Sequence, residues 1–219
     1  MILHTHQLSH RFGDGSYLQF PDISVDAGQR VLIMGASGCG KSTLLNLISG
    51  VLPISQGEIT LLGAKYSDLN ARALDQLRAD HMGVIFQTLN LIPYLSGHTN
   101  ASLGLRFSPL RNRRIDAITT EIMRLADALG LTGDILERPA NHLSIGQQQR
   151  IAVIRALLGR PELILADEPT SALDPEATQQ FMRELIGSFD ASRQGMIVVS
   201  HNPELAAFFD TVITLETHA

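Results

Sequence analysis

A short stretch in the first quarter of the chain constrains the fold more than any other. Residues 31–34 are apolar, residues 35–40 form a glycine-rich turn, and Lys41 and Ser42 follow directly. The stretch matches the pattern GxxxxGK[ST], in which a buried strand leads through a tight turn into a helix. An apolar helical face after the turn, with Gly50 as a stop signal, supports that setting. The sequence therefore predicts a strand–turn–helix unit.

The residue types in this turn have a chemical explanation. Gly35, Gly38 and Gly40 let successive backbone amides point inward, and the helix N-terminus adds unpaired N–H groups and a positive dipole end. Lys41 is then expected to reach the β- and γ-phosphates of a nucleotide, and the Ser42 hydroxyl to bind Mg²⁺. The alternative is a turn that only caps a helix, and the register of Lys41 and Ser42 argues against it.

Composition narrows the classes of protein that can carry this unit. For 219 residues we expect one domain with subdomains, and a net charge of -5 gives no support to a nucleic-acid binder. No apolar run approaches the roughly 20 residues that a membrane span needs. Residues 1–10 lack the apolar core of a signal peptide, and the single Cys39 excludes an internal disulfide. We therefore expect a protein made and kept in the cytoplasm.

Three apolar runs that predict buried strands are each followed by polar residues. These are Gln87 after residues 82–86, Asp167 and Glu168 after residues 163–166, and His201 after residues 195–200. Open α/β sheets bind ligands at the carboxyl ends of their strands, where adjacent carboxylates are costly unless a cation or a reaction uses them. We expect Asp167 to hold Mg²⁺ through water, Glu168 to orient or deprotonate an attacking water, and His201 to point at a γ-phosphate. The alternatives are a loop residue at Gln87, a helix cap for one acid, and a structural histidine.

Strand signals disappear between residues 88 and 160, and helical spacing replaces them. Residues 111–129 carry apolar residues at helical intervals and predict one helix. Residues 143–147 read L-S-I-G-Q, and a further helix with an apolar side follows them. Ser144 is either a plain N-cap of that helix or part of a second anion site at its N-terminus. A helical insertion between two parts of one sheet is therefore expected.

The remaining elements are predicted from alternation and turn residues. They are strands at residues 2–8, 17–25 and 56–62, helices at residues 70–79 and 175–187 and from residue 202, and a last strand with a short tail within residues 210–219. Asp174 before Pro175 predicts an N-cap. His4, His6 and His10 fall on one strand face at period two, which predicts partly exposed imidazoles rather than a metal site. Phe12 can stack on a nucleotide base or pack on the core.

Together these stretches resemble the nucleotide-binding subunit of a bacterial ABC transporter over essentially the whole chain. The motifs that carry the resemblance are the phosphate loop at residues 35–43, Gln87, L-S-I-G-Q at residues 143–147, L-I-L-A-D-E at residues 163–168, S-A-L-D at residues 171–174, and His201. Residues 73–78 and 82–93 are most similar to the lipoprotein-release, macrolide-efflux and cell-division branch. One departure is Ile145, where the commonest signature has glycine.

The resemblance implies an α/β fold of the P-loop NTPase (RecA-like) class. Its mostly parallel sheet core would carry an antiparallel β subdomain and an inserted α-helical subdomain. Residues 1–219 would form a single ATP-binding domain. Residues 1–87 and 161–219 would be the catalytic core with its N-terminal β subdomain, and residues 88–160 the helical subdomain with the signature motif.

The resemblance also implies cofactors, partners and site residues. ATP and Mg²⁺ would bind between the phosphate loop of one subunit and the signature of a second copy in a head-to-tail homodimer. An integral membrane permease would be a further partner, nucleic acid would not, and the chain would lie on the cytoplasmic face of the inner membrane with no transmembrane segment of its own. Catalytic roles are implied for Glu168, His201, Lys41 and Gln87, and metal binding for Ser42, Gln87 and Asp167. Nucleotide contacts are implied for Phe12 (with Tyr17 a weaker candidate), Gly35, Ala36, Ser37, Gly38, Cys39, Gly40, Lys41, Ser42, Thr43, Ser144, Gly146, Gln147 and Asp174.

Two other functions compete with a transporter subunit. A soluble ABC-type ATPase of DNA repair or translation predicts a long coiled coil or two such cassettes in one chain, and the sequence has neither pattern. A non-catalytic scaffold would bind ATP without turning it over. The presence of Asp167, Glu168 and His201 argues against the scaffold.

Overall fold

The computed structural model describes residues 1–13 and 15–216, so Asp14 and the predicted tail at residues 217–219 lie outside the described residues. The described strands are β1 (Leu3–Arg11), β2 (Tyr17–Gln19), β3 (Ser24–Val25), β4 (Arg30–Met34), β5 (Gln56–Leu61), β6 (Ala64–Lys65), β7 (Met82–Ile85), β8 (Leu163–Asp167), β9 (Gly195–Ser200) and β10 (Thr211–Thr214). The described α-helices are α1 (Lys41–Ile48), α2 (Ala71–His81), α3 (Gly97–Ser102), α4 (Pro109–Arg113), α5 (Ile118–Ala128), α6 (Gly133–Glu137), α7 (Ile145–Leu157) and α8 (Pro175–Gly187). Short 3-10 helices lie at Tyr66–Asp68, Leu103–Phe107, Ala140–His142 and Pro203–Phe208.

The centre of the described chain is a parallel sheet in the strand order β10-β4-β9-β8-β7. All of its recorded pairings are parallel. Val31 and Ile33 of β4 pack into one hydrophobic cluster, and Leu32 between them packs into the other. Burial on both faces explains why the sequence reads as continuous apolar runs rather than alternation. Because the strands are parallel, their carboxyl ends meet at one edge of the sheet.

An antiparallel sheet packs against one face of the parallel sheet. Its order is β2-β1-β5-β6, with β3 also paired to β1. Leu3 of β1 and Ile59 of β5 share one hydrophobic cluster with Leu44 of α1 and Leu165 of β8. The prediction of one strand over residues 17–25 is wrong, because β2 and β3 are separate strands. Pro21 lies between them and has no amide hydrogen for a strand ladder.

The prediction that His4, His6 and His10 are partly exposed on one face is wrong for His10. A β-bulge that includes Gln7, where φ is 48°, shifts the register of β1 against β5. His10 is buried, and its Nδ1 lies 3.3 Å from the carbonyl oxygen of Pro53. Alternation predicts a common face only while a strand remains regular. A bulge inserts one extra residue into the strand, so the residues after it face the opposite way from what alternation predicts.

The inserted helical region contains α3 to α7, and one helix predicted there is wrong. Residues 111–129 form the separate helices α4 and α5. Ser108 caps α4 by accepting a hydrogen bond from the amide of Arg111, and Pro109 occupies its first turn. Ile115 lies between the two helices, yet it packs against the same hydrophobic cluster as α5. The apolar spacing therefore continues across a break in the helix.

The other predicted elements are confirmed, with small shifts at their ends. Asp174 caps α8, as predicted, and Asn70 caps α2. The helix predicted from residue 202 is a 3-10 helix. Among the described residues, none of the helices combines the length and the apolar character needed to cross a membrane.

An ion-pair cluster joins the helical region to the sheet just before β8. Glu162 Oε2 lies 2.8 Å from His81 Nδ1, and Glu162 Oε1 accepts a 2.7 Å hydrogen bond from Arg114. The Glu162 side chain is only 14% exposed. Burial raises the pKa of this carboxyl, but the hydrogen bonds from His81 and Arg114 outweigh burial and lower the pKa to about 2. The charged form of Glu162 therefore stabilises the folded protein.

We expect Glu162→Gln to lower the free energy of unfolding by about 2–3 kcal/mol at pH 7. The pKa of Glu162 in the folded protein lies below its ordinary value of 4.5. The stabilisation is therefore fully present above that value and is lost as the pH falls toward 2. Urea denaturation at about pH 7, 5 and 3.5 measures the loss. The difference between wild type and variant should narrow at the lowest pH, and a difference that grows there would contradict the assignment. The exposed Glu137→Gln is the matched control.

Candidate functional site

A cavity of about 710 Å³ opens at the carboxyl edge of the parallel sheet. It lies where the phosphate loop, the first antiparallel strands and the ends of β7, β8 and β9 converge. Its lining residues are Phe12, Ser16, Tyr17, Leu18, Ser37, Gly38, Gly40, Lys41, Ser42, Thr43, Gln87, Glu168 and His201. All four residues with predicted catalytic roles are therefore in one cavity.

The phosphate loop has the backbone shape that its glycines predict. Gly38 and Gly40 have φ of 83° and 98°, which side-chain-bearing residues rarely adopt. A Cβ on Gly35 would lie 2.5 Å from Cys39 Sγ, so the loop closes tightly on itself. Lys41 is buried, and its Nζ donates to the carbonyl oxygens of Gly35 at 2.8 Å and Ala36 at 2.9 Å. To reach a phosphate, the ammonium group would exchange these carbonyl contacts for phosphate oxygens.

The residues beside the loop fit a magnesium ion. Asp167 Oδ1 is buried and lacks a hydrogen-bond partner in the described part of the chain. Burial raises the pKa of Asp167 above its ordinary value, and a hydrogen bond from the Ser42 hydroxyl offsets only part of that rise. An unpaired buried carboxylate oxygen next to a hydroxyl is a hard oxygen donor set of the kind that Mg²⁺ prefers. Ser42 and Gln87, the other two predicted ligands, line the cavity, whereas Asp167 is not among its described lining residues.

Glu168 and His201 form a direct pair at the ends of β8 and β9. His201 Nδ1 lies 2.9 Å from Oε1 and 3.0 Å from Oε2 of Glu168. Ser200 Oγ donates to Glu168 Oε2 at 3.3 Å. The Glu168 side chain is 12% exposed, whereas the His201 side chain is 64% exposed. Glu168 also has φ of 45°, a conformation that non-glycine residues adopt at some energetic cost. The carboxylate is thus held in one position at the cavity wall.

The signature residues lie apart from this cavity. Ser144 caps α7 in a capping box, in which Gln147 Oε1 accepts from the Ser144 amide at 3.0 Å. Neither these two residues nor Gly146 belongs to the described cavity lining. Ile145 is 57% exposed at the start of the helix. The structure therefore places the signature at a surface, where Ser144 has the N-cap role that was the simpler alternative.

Several other predicted nucleotide contacts lie outside the cavity lining. Asp174 Oδ1 accepts from the amide of Ala177 at 2.8 Å and caps α8. Cys39 is a buried residue of the phosphate loop itself. Among the described residues, Gly35 and Ala36 shape the loop but do not line the cavity either.

Sequence reasoning missed Ser16 and Leu18, which line the cavity beside Phe12. Tyr17, which lies between them, lines the cavity as well, so alternation along the strand gives no signal that singles them out. A Cβ on Gly40 would lie 2.7 Å from Leu18 Cδ1, so Leu18 contacts the phosphate loop closely. Phe12 packs edge-to-face on His10, with ring centroids 4.8 Å apart.

Residues 18–171 match the family described as ABC transporter. The chain is 38% identical over 214 residues to the probable export ATP-binding/permease protein MacB of Pseudomonas entomophila, covering 94% of this chain and 31% of that protein. It is 35% identical over 195 residues to the bacitracin export ATP-binding protein BceA of Halalkalibacterium halodurans, covering 89% of this chain and 76% of that protein. The chain spans 30% to 34% of the length of the ATP-binding/permease relatives.

The fold is similar to solved dimers of MJ0796, described as a bacterial ABC transporter cassette. One such dimer has a TM-score of 0.84 at 30% identity and covers 98% of this chain and 94% of that chain. A structure described as a post-hydrolysis state bound to ADP and Pi has a TM-score of 0.83 at 29% identity, with 99% and 95% covered. This likeness confirms the fold class that the motifs predict.

Proposed function

The chain belongs to the ABC transporter family, and on that premise we propose that it binds and hydrolyses ATP to drive a conformational change in a membrane partner. The observation that carries the proposal is that one cavity joins Lys41 of the phosphate loop to Glu168 and His201. A phosphate-release assay on the full chain with ATP and Mg²⁺ tests it. Phosphate release above the rate of uncatalysed hydrolysis is expected, and binding without release would favour the scaffold instead.

Glu168 is the residue we assign as general base. Its partly buried carboxylate, paired with the exposed His201, would take a proton from a water that attacks the γ-phosphate. Lys41 and His201 would stabilise the negative charge that develops on the transferring group. Ser42, Asp167 and Gln87 would hold Mg²⁺, which as a Lewis acid neutralises phosphate charge.

The nucleotide site is proposed to be completed by a second copy of the chain. Ser144 and Gly146 do not line the described cavity, although a serine and a glycine at a helix N-terminus suit a phosphate. The solved relative MJ0796 is described as a dimer. We therefore place the signature of one subunit over the phosphate loop of the other, in a head-to-tail homodimer with two ATP.

Mixing two inactive variants tests this composite site. Lys41→Ala removes the phosphate-binding cation, and Gly146→Asp sets a negative charge at the signature, where an added Cβ meets only the end of Arg150 at 3.5 Å. Each variant alone should lose nearly all hydrolysis. In a heterodimer both defects fall in one site and the other site is intact, so an equimolar mixture should recover about a quarter of the wild-type rate. A mixture that stays inactive would mean that each chain builds its own complete site.

A membrane permease subunit is the proposed partner for a second groove. This groove, of about 530 Å³, lies between α2 and the inserted helical region. Phe86 and Phe107 offer exposed apolar surface there, Arg72 adds positive charge, and Arg78 pairs with Asp75 at 2.7 Å. Two relatives are named export ATP-binding/permease proteins, so their names combine ATP binding with a permease. We propose that the chain binds such a permease at the cytoplasmic face of the inner membrane. Identifying the membrane protein that co-purifies with the chain tests this proposal.

A further inference from the structure

A strained turn follows β7 and carries Gln87 into the catalytic cavity. Leu89 and Asn90 have φ of 58° and 48°, so two successive non-glycine residues adopt the left-handed conformation. Such a conformation is unfavourable for leucine and persists only where neighbouring groups impose it, whereas asparagine tolerates it better than other non-glycine residues. The turn's own hydrogen bonds run from the amide of Leu89 to Phe86 O at 2.9 Å and from the amide of Asn90 to Thr88 O at 2.7 Å.

Arg155 of α7 holds this turn from the other side. Its Nη1 donates to the carbonyl oxygen of Asn90 at 2.7 Å, and its Nη2 donates to the carbonyl oxygen of Leu89 at 2.6 Å. The planar guanidinium of Arg155 thus donates to the carbonyl oxygens of Leu89 and Asn90, the same two residues that have positive φ. Burial lowers the pKa of Arg155, and charge-assisted hydrogen bonds in such surroundings are strong.

The backbone of α7 around Arg155 is itself held by hydrogen bonds. Arg111 is buried, and its Nη2 donates to the backbone carbonyl oxygens of Arg155 at 3.3 Å and Ala156 at 3.0 Å. Arg155 also lines the groove that we assign to the permease, whereas Gln87 lines the nucleotide cavity. One side chain therefore lies between the two sites.

We propose that Arg155 is a positioning residue for Gln87: its fork keeps the turn at Leu89 and Asn90 in the left-handed conformation and so holds Gln87 against the nucleotide cavity. The catalytic part of this inference rests on the proposed function. Its structural part, that Arg155 maintains the turn, does not. Ser144 begins the same α7 helix whose last turns carry Arg155, so a shift of the signature would be transmitted to Gln87 through a rigid segment.

Hydrogen exchange of the nucleotide-free full chain tests the structural part. Arg155→Met should speed exchange of the Leu89 and Asn90 amides by about tenfold or more, because the turn loses two charge-assisted hydrogen bonds. Amides of β8 should be unchanged. Arg155→Lys, which keeps the charge but lacks the fork, should give an intermediate effect and serves if the Met variant does not fold. Unchanged exchange at Leu89 and Asn90 would overturn the proposal.

Turnover and rescue test the catalytic part. Arg155→Met should lower kcat for ATP hydrolysis by about ten- to a hundredfold with KM within about twofold of wild type, because a misplaced side chain costs turnover. Adding Asn90→Gly should restore part of kcat, since glycine adopts the left-handed conformation at position 90 without the Arg155 hydrogen bonds, while Leu89 stays strained. Arg124→Met, an exposed arginine of α5, is the matched control.

The outcomes separate this inference from the proposed function. Altered exchange with unchanged kcat in a chain that hydrolyses ATP would overturn the positioning role, and so would the absence of rescue by Asn90→Gly. A wild type that hydrolyses no ATP would refute the proposed function, with the exchange result still deciding whether Arg155 maintains the turn.

Discussion

Glu168→Gln is expected to lower kcat for ATP hydrolysis by about a hundred- to ten-thousandfold while ATP binding persists. The glutamine amide has nearly the shape of the carboxylate but cannot accept a proton from water. A hydrogen bond to His201 remains possible, so the cavity wall should keep its form. Because hydrolysis would release the proposed head-to-tail dimer with its two ATP, the variant should also accumulate as an ATP-bound dimer. Phosphate release measures the first effect, and size-exclusion chromatography with ATP measures the second.

The control for this variant is Glu176→Gln at the first turn of α8, an exposed residue outside the described cavity lining. It removes the same charge and should leave turnover within about twofold of wild type. Full activity in Glu168→Gln would refute Glu168 as the general base. Loss of ATP binding together with activity would instead indicate that the substitution disturbs the phosphate site.

Gly83→Ala is expected to cause the largest loss of stability among the variants considered, about 3 kcal/mol. A Cβ at Gly83 would lie 2.2 Å from the carbonyl oxygen and 2.8 Å from the carbonyl carbon of Ala156. Both are backbone atoms of α7, so no side-chain rotation can relieve the contact. Either β7 or α7 must move; Gln87 follows β7, and α7 carries Gly146 and Gln147 of the signature. Urea denaturation should show a lower midpoint with a similar m-value.

Gly104→Ala is the matched control. A Cβ at Gly104 would meet no heavy atom within 4 Å, so the same substitution should change stability by about 0.5 kcal/mol or less. The comparison isolates the contact between β7 and α7 from the general effect of replacing glycine. A Gly83→Ala protein as stable as wild type would show that this contact is looser than the structure has it.

The phosphate loop shows how much a local pattern can predict. Its strand, turn and helix depend on neighbouring residues, and the structure places all three as expected. The same holds for the cap at Asp174, since a side chain that bonds an amide three residues away needs no distant partner. The roles assigned to single site residues remain predictions, because residue type alone does not specify a ligand.

Elements that depend on distant partners were predicted less well. α4, which ends before α5 begins, carries the buried Arg111, whose Nε donates to the carbonyl oxygen of Leu158 at 2.9 Å. Nothing in residues 111–129 indicates that partner. The place of His10 depends on a bulge in β1, and the periodicity of β1 gives no sign of it.

The sequence by itself determined the order of the elements, the buried strand runs and the turn that suits a phosphate, because these follow from the spacing of neighbouring residues. Only the tertiary structure decided that Glu168 pairs with His201 and that Arg155 grips the turn after Gln87. The tertiary structure also decided that the signature at residues 143–147 lies away from the described cavity of its own chain. The physical reason is that hydrogen bonds and close contacts depend on distances between residues far apart in the chain, and those distances exist only after the sheet and helices have packed together.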